Sequence, residues 1–239
     1  MKLDGRLFLA AIFFSILVRT VSAQNVWERD WQSWKINDAG KILSNSPWAK
    51  NCYRDDMKMP CGLAPRGNIS KATLPPIIVR FFSSLKIRQA TVRLTQLQNN
   101  YDKMDAQKKS AFDESVKNSL ICAVCKSYYV FTLFQSVVDE NGKSVFNDKL
   151  KNEKLENLAE RIYLSNDKNE KRKLAYVKVR NVYLAELYFP VADEKQNPLI
   201  TPDTKKMTLN LKTNLWTEGV LEEVEFDVRK MLIDNKLDF

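Results

Sequence analysis

Histidine is absent from the 239 residues. Without an imidazole there is no Ser-His-Asp or Cys-His nucleophile pair, no His-ligated zinc, no HExxH metalloprotease motif and no c-type haem attachment. Glycine is scarce, with six in all: Gly5, Gly40, Gly62, Gly67, Gly142 and Gly219. No two stand close enough for a dinucleotide fingerprint, and none leads into the Lys-Ser/Thr pair of a phosphate-cradling loop. No stretch approaches eighteen consecutive apolar residues, so no transmembrane segment is expected in the mature chain. The composition that remains is globular: 44% hydrophobic, 28% charged and 10% aromatic, enough for one real core.

The first residues point to export. Lys2 and Arg6 precede an apolar run from Leu7 to Val18, which is too short to span a bilayer. Val21-Ser22-Ala23 then offers the small residues that a signal peptidase requires, so cleavage is expected after Ala23. This places the mature protein in a periplasm or outside the cell. Gln24 follows the cut where a lipoprotein would have Cys, which argues against a lipid anchor. The formal charge is +9, and removing 1–23 takes away three cations and one acid, so the mature chain stays basic. Its charges alternate in sign along 149–160 and 167–173, the pattern of a solvated face, and nothing singles out nucleic acid as a partner.

Residues 24–50 read as helical and rich in tryptophan. Trp27, Trp31 and Trp34 recur at spacings of four and three, which would place them on one helix face. Asn37 or Asp38 is placed to cap a helix carrying Ala39, Ile42 and Leu43. Ser46-Pro47 reads as a fresh helix start leading to Trp48. Together Trp27, Trp31, Trp34 and Trp48 are read as a lid on the core, with an aromatic platform for sugar stacking as the alternative. Residues 51–76 hold two cysteines and four of the eight prolines and read as an irregular loop.

The expected organisation is therefore a signal peptide at 1–23, a Trp-rich helical segment and Cys-containing loop at 24–76, and an α+β unit at 77–239, with 24–76 and 77–239 as one domain the alternative. Within 77–239, Ile77–Phe82 reads as a buried strand and 85–99 as a helix. That helix would turn Ile87, Ala90, Leu94 and Leu97 inward and Lys86, Arg88 and Arg93 outward. Asp105 caps the next helix, with an inner stripe of Ala111, Phe112, Val116 and Leu120. Strands follow at 127–138, 162–164, 174–179, 182–189, 207–211, 223–228 and 236–239, with a helix at 147–160. The fold class is α+β, with N-terminal helical segments on an antiparallel, sandwich-like sheet. Most strands are too short for an outer-membrane barrel.

Cys52, Cys61, Cys122 and Cys125 are the remaining reactive side chains. Structural disulfides are the favoured reading, with local pairing ahead of cross-linking; for Cys122 and Cys125 this requires a turn. The same four as ligands of a structural zinc form the alternative, although eight residues separate Cys52 from Cys61, against the usual two to four. A redox dithiol is disfavoured because a helix precedes the CxxC and a strand follows. This reverses the arrangement in which a helix dipole lowers the thiol pKa.

The stretches Trp31-Gln-Ser-Trp34, Asp38–Leu43 and Ser46–Lys50 resemble the opening of a family of uncharacterised exported bacterial proteins with no assigned activity. Ile87–Ala90, Tyr128–Val130, Ile162–Asp167 and Glu225–Lys230 extend the resemblance over most of the mature chain. It implies export and one family-wide unit, and it brings no catalytic or ligand-binding residue. With no catalytic constellation assembled, the expectation is a non-enzymatic protein that binds a protein partner or an envelope polymer, with no cofactor. The alternative is a carboxylate-dependent hydrolase of an envelope polysaccharide, which would need two carboxyls placed about 5–10 Å apart beside exposed Trp rings.

Overall fold

Among the described residues, strands build a five-stranded and a four-stranded antiparallel sheet and a two-stranded hairpin. The computed structural model describes residues 25–54, 74–135, 150–181, 184–211 and 223–239. The expected cleavage site, Cys61 and the turn at 139–142 lie outside these.

Two 3-10 turns, Val26–Glu28 and Trp31–Ser33, lead to helix α1 (Ile36–Ser44). Strands β1 (Ala49–Arg54) and β2 (Leu74–Phe81) follow, then α2 (Leu85–Gln98) and α3 (Ala106–Leu120). A 3-10 turn at Ala123–Lys126 opens β3 (Tyr128–Gln135). After α4 (Leu155–Arg161) come β4 (Ile162–Asn166), β5 (Lys171–Lys173), β6 (Tyr176–Asn181), β7 (Leu184–Pro190), β8 (Lys206–Leu211) and β9 (Glu223–Asp227). The 3-10 turn Val228–Met231 joins β9 to a hairpin of β10 (Leu232–Ile233) and β11 (Lys236–Leu237). The larger sheet has the order β1-β2-β3-β7-β6 and the smaller β5-β4-β8-β9.

The two sheets share one core. Ile77, Val79 and Phe81 of β2, Tyr129, Phe131 and Leu133 of β3, and Ala185, Leu187 and Phe189 of β7 are buried at alternate positions. Leu164, Met207, Leu209, Val224 and Phe226 face them from the smaller sheet. Phe131 meets Phe226 with ring centroids 5.7 Å apart. The α+β class and the antiparallel sheets expected from the sequence are both present.

Four local expectations are corrected. Trp27, Trp31 and Trp34 do not share a helix, because the chain turns twice in 3-10 form before α1 begins. Ser46 starts no new helix: its hydroxyl donates to Ile42 O at 2.7 Å and accepts from Trp48 N–H, turning the chain into β1. Residues 51–54 lie in β1, which pairs with β2 across the 76/77 boundary, so the Trp-rich segment joins the sheet of the larger unit. In α3 no residue is buried; Ala111 is exposed, and Phe112, Val116 and Leu120 are only half-covered because that helix packs on α2 alone among the longer helices.

The fifth correction concerns α2. Arg88 and Arg93 are buried, at 8% and 6% exposure. Helical periodicity assigns them to the outer face, but a guanidinium on a long stem can satisfy main-chain carbonyls that nothing else reaches. Arg93 Nε donates to Trp34 O at 2.9 Å, and its two terminal nitrogens hold Asp102 at 3.0 Å each. Arg88 Nε donates to Leu120 O at the end of α3.

Among the described residues the larger sheet has β1 at one edge and β6 at the other. Lys178, Arg180 and Asn181 are exposed there, and the pairing with β7 shifts register between Val179 and Asn181.

Candidate functional site

A polar cleft of about 980 Å³ lies where residues 25–28 meet the β9–β11 segment. Each wall is set by local chemistry. Asn25 and Glu28 bracket the first 3-10 turn, the Glu28 carboxylate accepting from Asn25 N–H (3.2 Å) and Asn25 Nδ2 (2.8 Å), and this turn presents Trp27. Lys50 projects from β1, and Lys86 from the first turn of α2, whose N-cap Ser84 accepts from Ile87 N–H. On the opposite wall Asp227 caps the turn at 228–231 by accepting from Arg229 N–H. The β10–β11 turn closes tightly because Asp234 and Asn235 both adopt positive φ, 50° and 60°, which short polar side chains tolerate.

The cleft carries four cations, Lys50, Lys86, Arg229 and Lys230, against Glu28 and Asp234. Asp227 pairs with Arg229 (2.9 Å) and more loosely with Lys230 (3.9 Å). Among the described residues neither Lys50 nor Lys86 makes an ion pair. Their ammonium groups lie over rings instead, Lys50 5.9 Å from the centroid of Phe226 and Lys86 5.7 Å from that of Trp34. Burial, and then the neighbouring Lys230, push Lys50 below the ordinary lysine range. Such a group gains most from an anion brought beside it.

The four tryptophans separate. Trp34 and Trp48 have no exposed surface. Trp27 and Trp31 are half-buried against the core, and Trp27 meets Trp48 edge-on at 5.9 Å. Only Trp27 of the four lines the cleft. The aromatic cluster that sequence reading missed lies on the outer face of the larger sheet. Tyr176 stacks on Tyr188 at 4.0 Å, Tyr128 packs edge-on against both, and Glu186 accepts from Tyr188 Oη and Arg180 Nε. Alternation on β3, β6 and β7 held that signal, but only the strand order brings the three strands together.

Cys122 and Cys125 are bonded to each other, with Cα atoms 5.2 Å apart. The turn this needs is present: Cys122 leads into the 3-10 turn, and Cys125 N–H donates to Cys122 O at 3.0 Å. Cys52 is buried in β1 and also disulfide-bonded. Among the described residues no group of His, Cys, Asp and Glu is arranged to hold a metal ion. Asp193 is committed to its own loop, accepting from Lys195 and Asn197 N–H at 2.9 Å each; the Asn197 bond leads in holding its carboxyl below the usual range.

No protein-family model, no curated protein and no solved structure matches the chain.

Proposed function

We propose that the chain is an exported binding protein without catalytic turnover, and that its cleft holds an acidic polymer of the cell envelope or exterior. The observation that carries this reading is the pair Lys50 and Lys86, two cations held over aromatic rings in a polar cleft, with no carboxylate paired to either among the described residues. An ammonium fixed in this way loses little freedom when an anion arrives, and Arg229 and Lys230 extend the positive field along the wall. The polar lining, with four cations from separate segments, suits an acidic chain better than a small apolar ligand, which would need a drier cavity. Export is supported by the apolar leader at 7–18 with its small-residue site at 21–23, and by the Cys122–Cys125 disulfide, which fits an oxidising compartment.

The hydrolase alternative has two carboxylates in the cleft, Glu28 and Asp234, beside Trp27. Glu28 is occupied by Asn25, so the anion-binding reading is preferred.

Titrating the protein into fluorescent poly-glutamate and into a glycerol-phosphate polymer tests the proposal. Binding that weakens steeply between ~20 and ~200 mM salt is expected, because screening shortens the reach of the cations. Lys50→Glu with Lys86→Glu should weaken it about tenfold or more. Equal binding by the double variant refutes the cleft as the site. Release of reducing sugar from envelope polysaccharide, lost in Glu28→Gln, would establish the hydrolase instead.

A further inference from the structure

A second cavity, of about 460 Å³, has Ser83 and Arg88 in its wall and shares no lining residue with the basic cleft. Both Cys122 and Cys125 form part of its wall, so the disulfide faces an accessible space, whereas Cys52 is 1% exposed. Tyr129, Val191, Ile200 and Phe239 make the facing surface apolar.

Two cations line this pocket, Arg88 and the exposed Lys126, and Arg88, whose charge is felt by Asp238, is the one that touches the disulfide. Its Nη1 lies 3.8 Å from Cys125 Sγ, and its Nε donates to Leu120 O at 3.1 Å. Leu120 is the last residue of α3, so the guanidinium stands between the negative end of that helix and the sulfur. The objection raised by helix order, that the preceding helix disfavours a thiolate here, is thereby offset by a fixed cation. Further bonds from Nη1 to the carbonyls of Phe82 and Ser83 fix the guanidinium in place.

We propose that Cys122–Cys125 is an exchange-active disulfide that accepts electrons from cysteine-bearing peptides seated in this apolar pocket. A peptide thiolate attacks Cys122 Sγ; the S–S bond breaks and Cys125 leaves as a thiolate beside Arg88, while a mixed disulfide forms at Cys122. A second peptide thiolate attacks the peptide sulfur of that mixed disulfide, and Cys122 departs as a thiolate and takes up a proton. Two peptide thiols are oxidised to one disulfide, and the protein disulfide is reduced to the dithiol. The apolar wall recognises the residues flanking the peptide cysteine, and Arg88 selects which protein sulfur leaves.

The full chain, equilibrated in glutathione buffers of increasing reducing strength, acid-quenched, labelled with a maleimide and mapped by peptide, tests this. Cys122 and Cys125 should label together while Cys52 stays protected and circular dichroism is unchanged. Opening that occurs only as the fold is lost, or in parallel with Cys52, overturns the proposal. In the reduced protein, the pH profile of Cys125 alkylation should lie about one unit or more below that of a free thiol near pKa 8.5, giving about tenfold more thiolate at pH 6.5. Arg88→Lys should keep that profile and Arg88→Gln should return it to the free-thiol value. If Arg88→Gln does not fold, the wild-type profile decides: an unshifted Cys125 refutes the role of Arg88. Failure here leaves polymer binding in the other cleft untouched, and the reverse holds as well.

Discussion

Leu174 and Ala175 are neighbours in sequence, yet they donate their backbone N–H groups to different sheets. Leu174 N bonds Ile162 O in the smaller sheet at 3.3 Å, and Ala175 N bonds Tyr188 O in the larger at 2.8 Å. The chain crosses from one layer to the other at this peptide, and the Leu174 side chain, 3% exposed, fills the gap between the layers. Leu174→Ala should therefore cost about 2–5 kcal/mol, as for other buried leucines. Ala175→Pro, which removes the donor to Tyr188, should cost about 3 kcal/mol or more. Urea denaturation of each variant checks both, with lowered midpoints and unchanged slope expected.

Arg93 and Asp102 should respond unequally to substitution. Removing Arg93 strips a buried carbonyl, Trp34 O, of its donor, so Arg93→Ala should cost about 2–3 kcal/mol. Asp102 is 58% exposed and remains solvated when unpaired, so Asp102→Asn should cost about 1 kcal/mol or less. Arg93→Lys, lacking the planar fork, should fall nearer to alanine than to wild type. Thermal melts of the three variants give the order.

Asp238 should give stability an unusual acid dependence. Its carboxylate accepts from Ser84 Oγ at 2.6 Å and Lys86 N–H at 3.1 Å, but burial dominates and pushes it above the usual carboxylate range. A carboxyl raised on folding binds its proton more tightly in the native state. Its contribution is thus most favourable below the unfolded pKa and declines as pH rises through the folded one. Asp238→Asn keeps an acceptor and does not titrate. The stability of wild type relative to this variant should fall as pH is raised from about 3 toward 7, read from denaturation midpoints at each pH. A flat difference would refute the assignment.

Asp227→Asn should strengthen polymer binding. It releases Arg229 and Lys230 from their carboxylate while leaving an oxygen to cap the turn. A gain of a few-fold at low salt, with a steeper salt dependence, is expected in the poly-glutamate titration.

The parts of the fold that local pattern controls were legible in the sequence. The cap at Asp105, the span of α2 and the alternation of β8 and β9 follow from residues within one turn or one strand. β1 was not legible, because Ala-Lys-Asn-Cys lacks alternation and becomes a strand only through its pairing with β2. The burial of Arg88 and Arg93 was hidden for a related reason: periodicity gives the direction of a Cβ and not the reach of a guanidinium. The basic cleft unites Lys50, Lys86 and Arg229 from distant segments, and no spacing rule connects them. The Cys122–Cys125 turn was within reach of sequence reasoning, since a local bridge requires one.

The exposed row on β6 has a consequence for how copies of this protein meet. An edge strand is a template for any other extended chain, and among the described residues the larger sheet ends in one at β6. Lys178 and Arg180 would have to be stripped of water, against like charges on an identical neighbour, before a second β6 could align with the first. The register shift at 179–181 spoils the ladder that such a neighbour would need. Replacing both cations with valine would leave a sticky β-branched ribbon, and the protein would be expected to form fibrils at concentrations where the wild type stays dispersed.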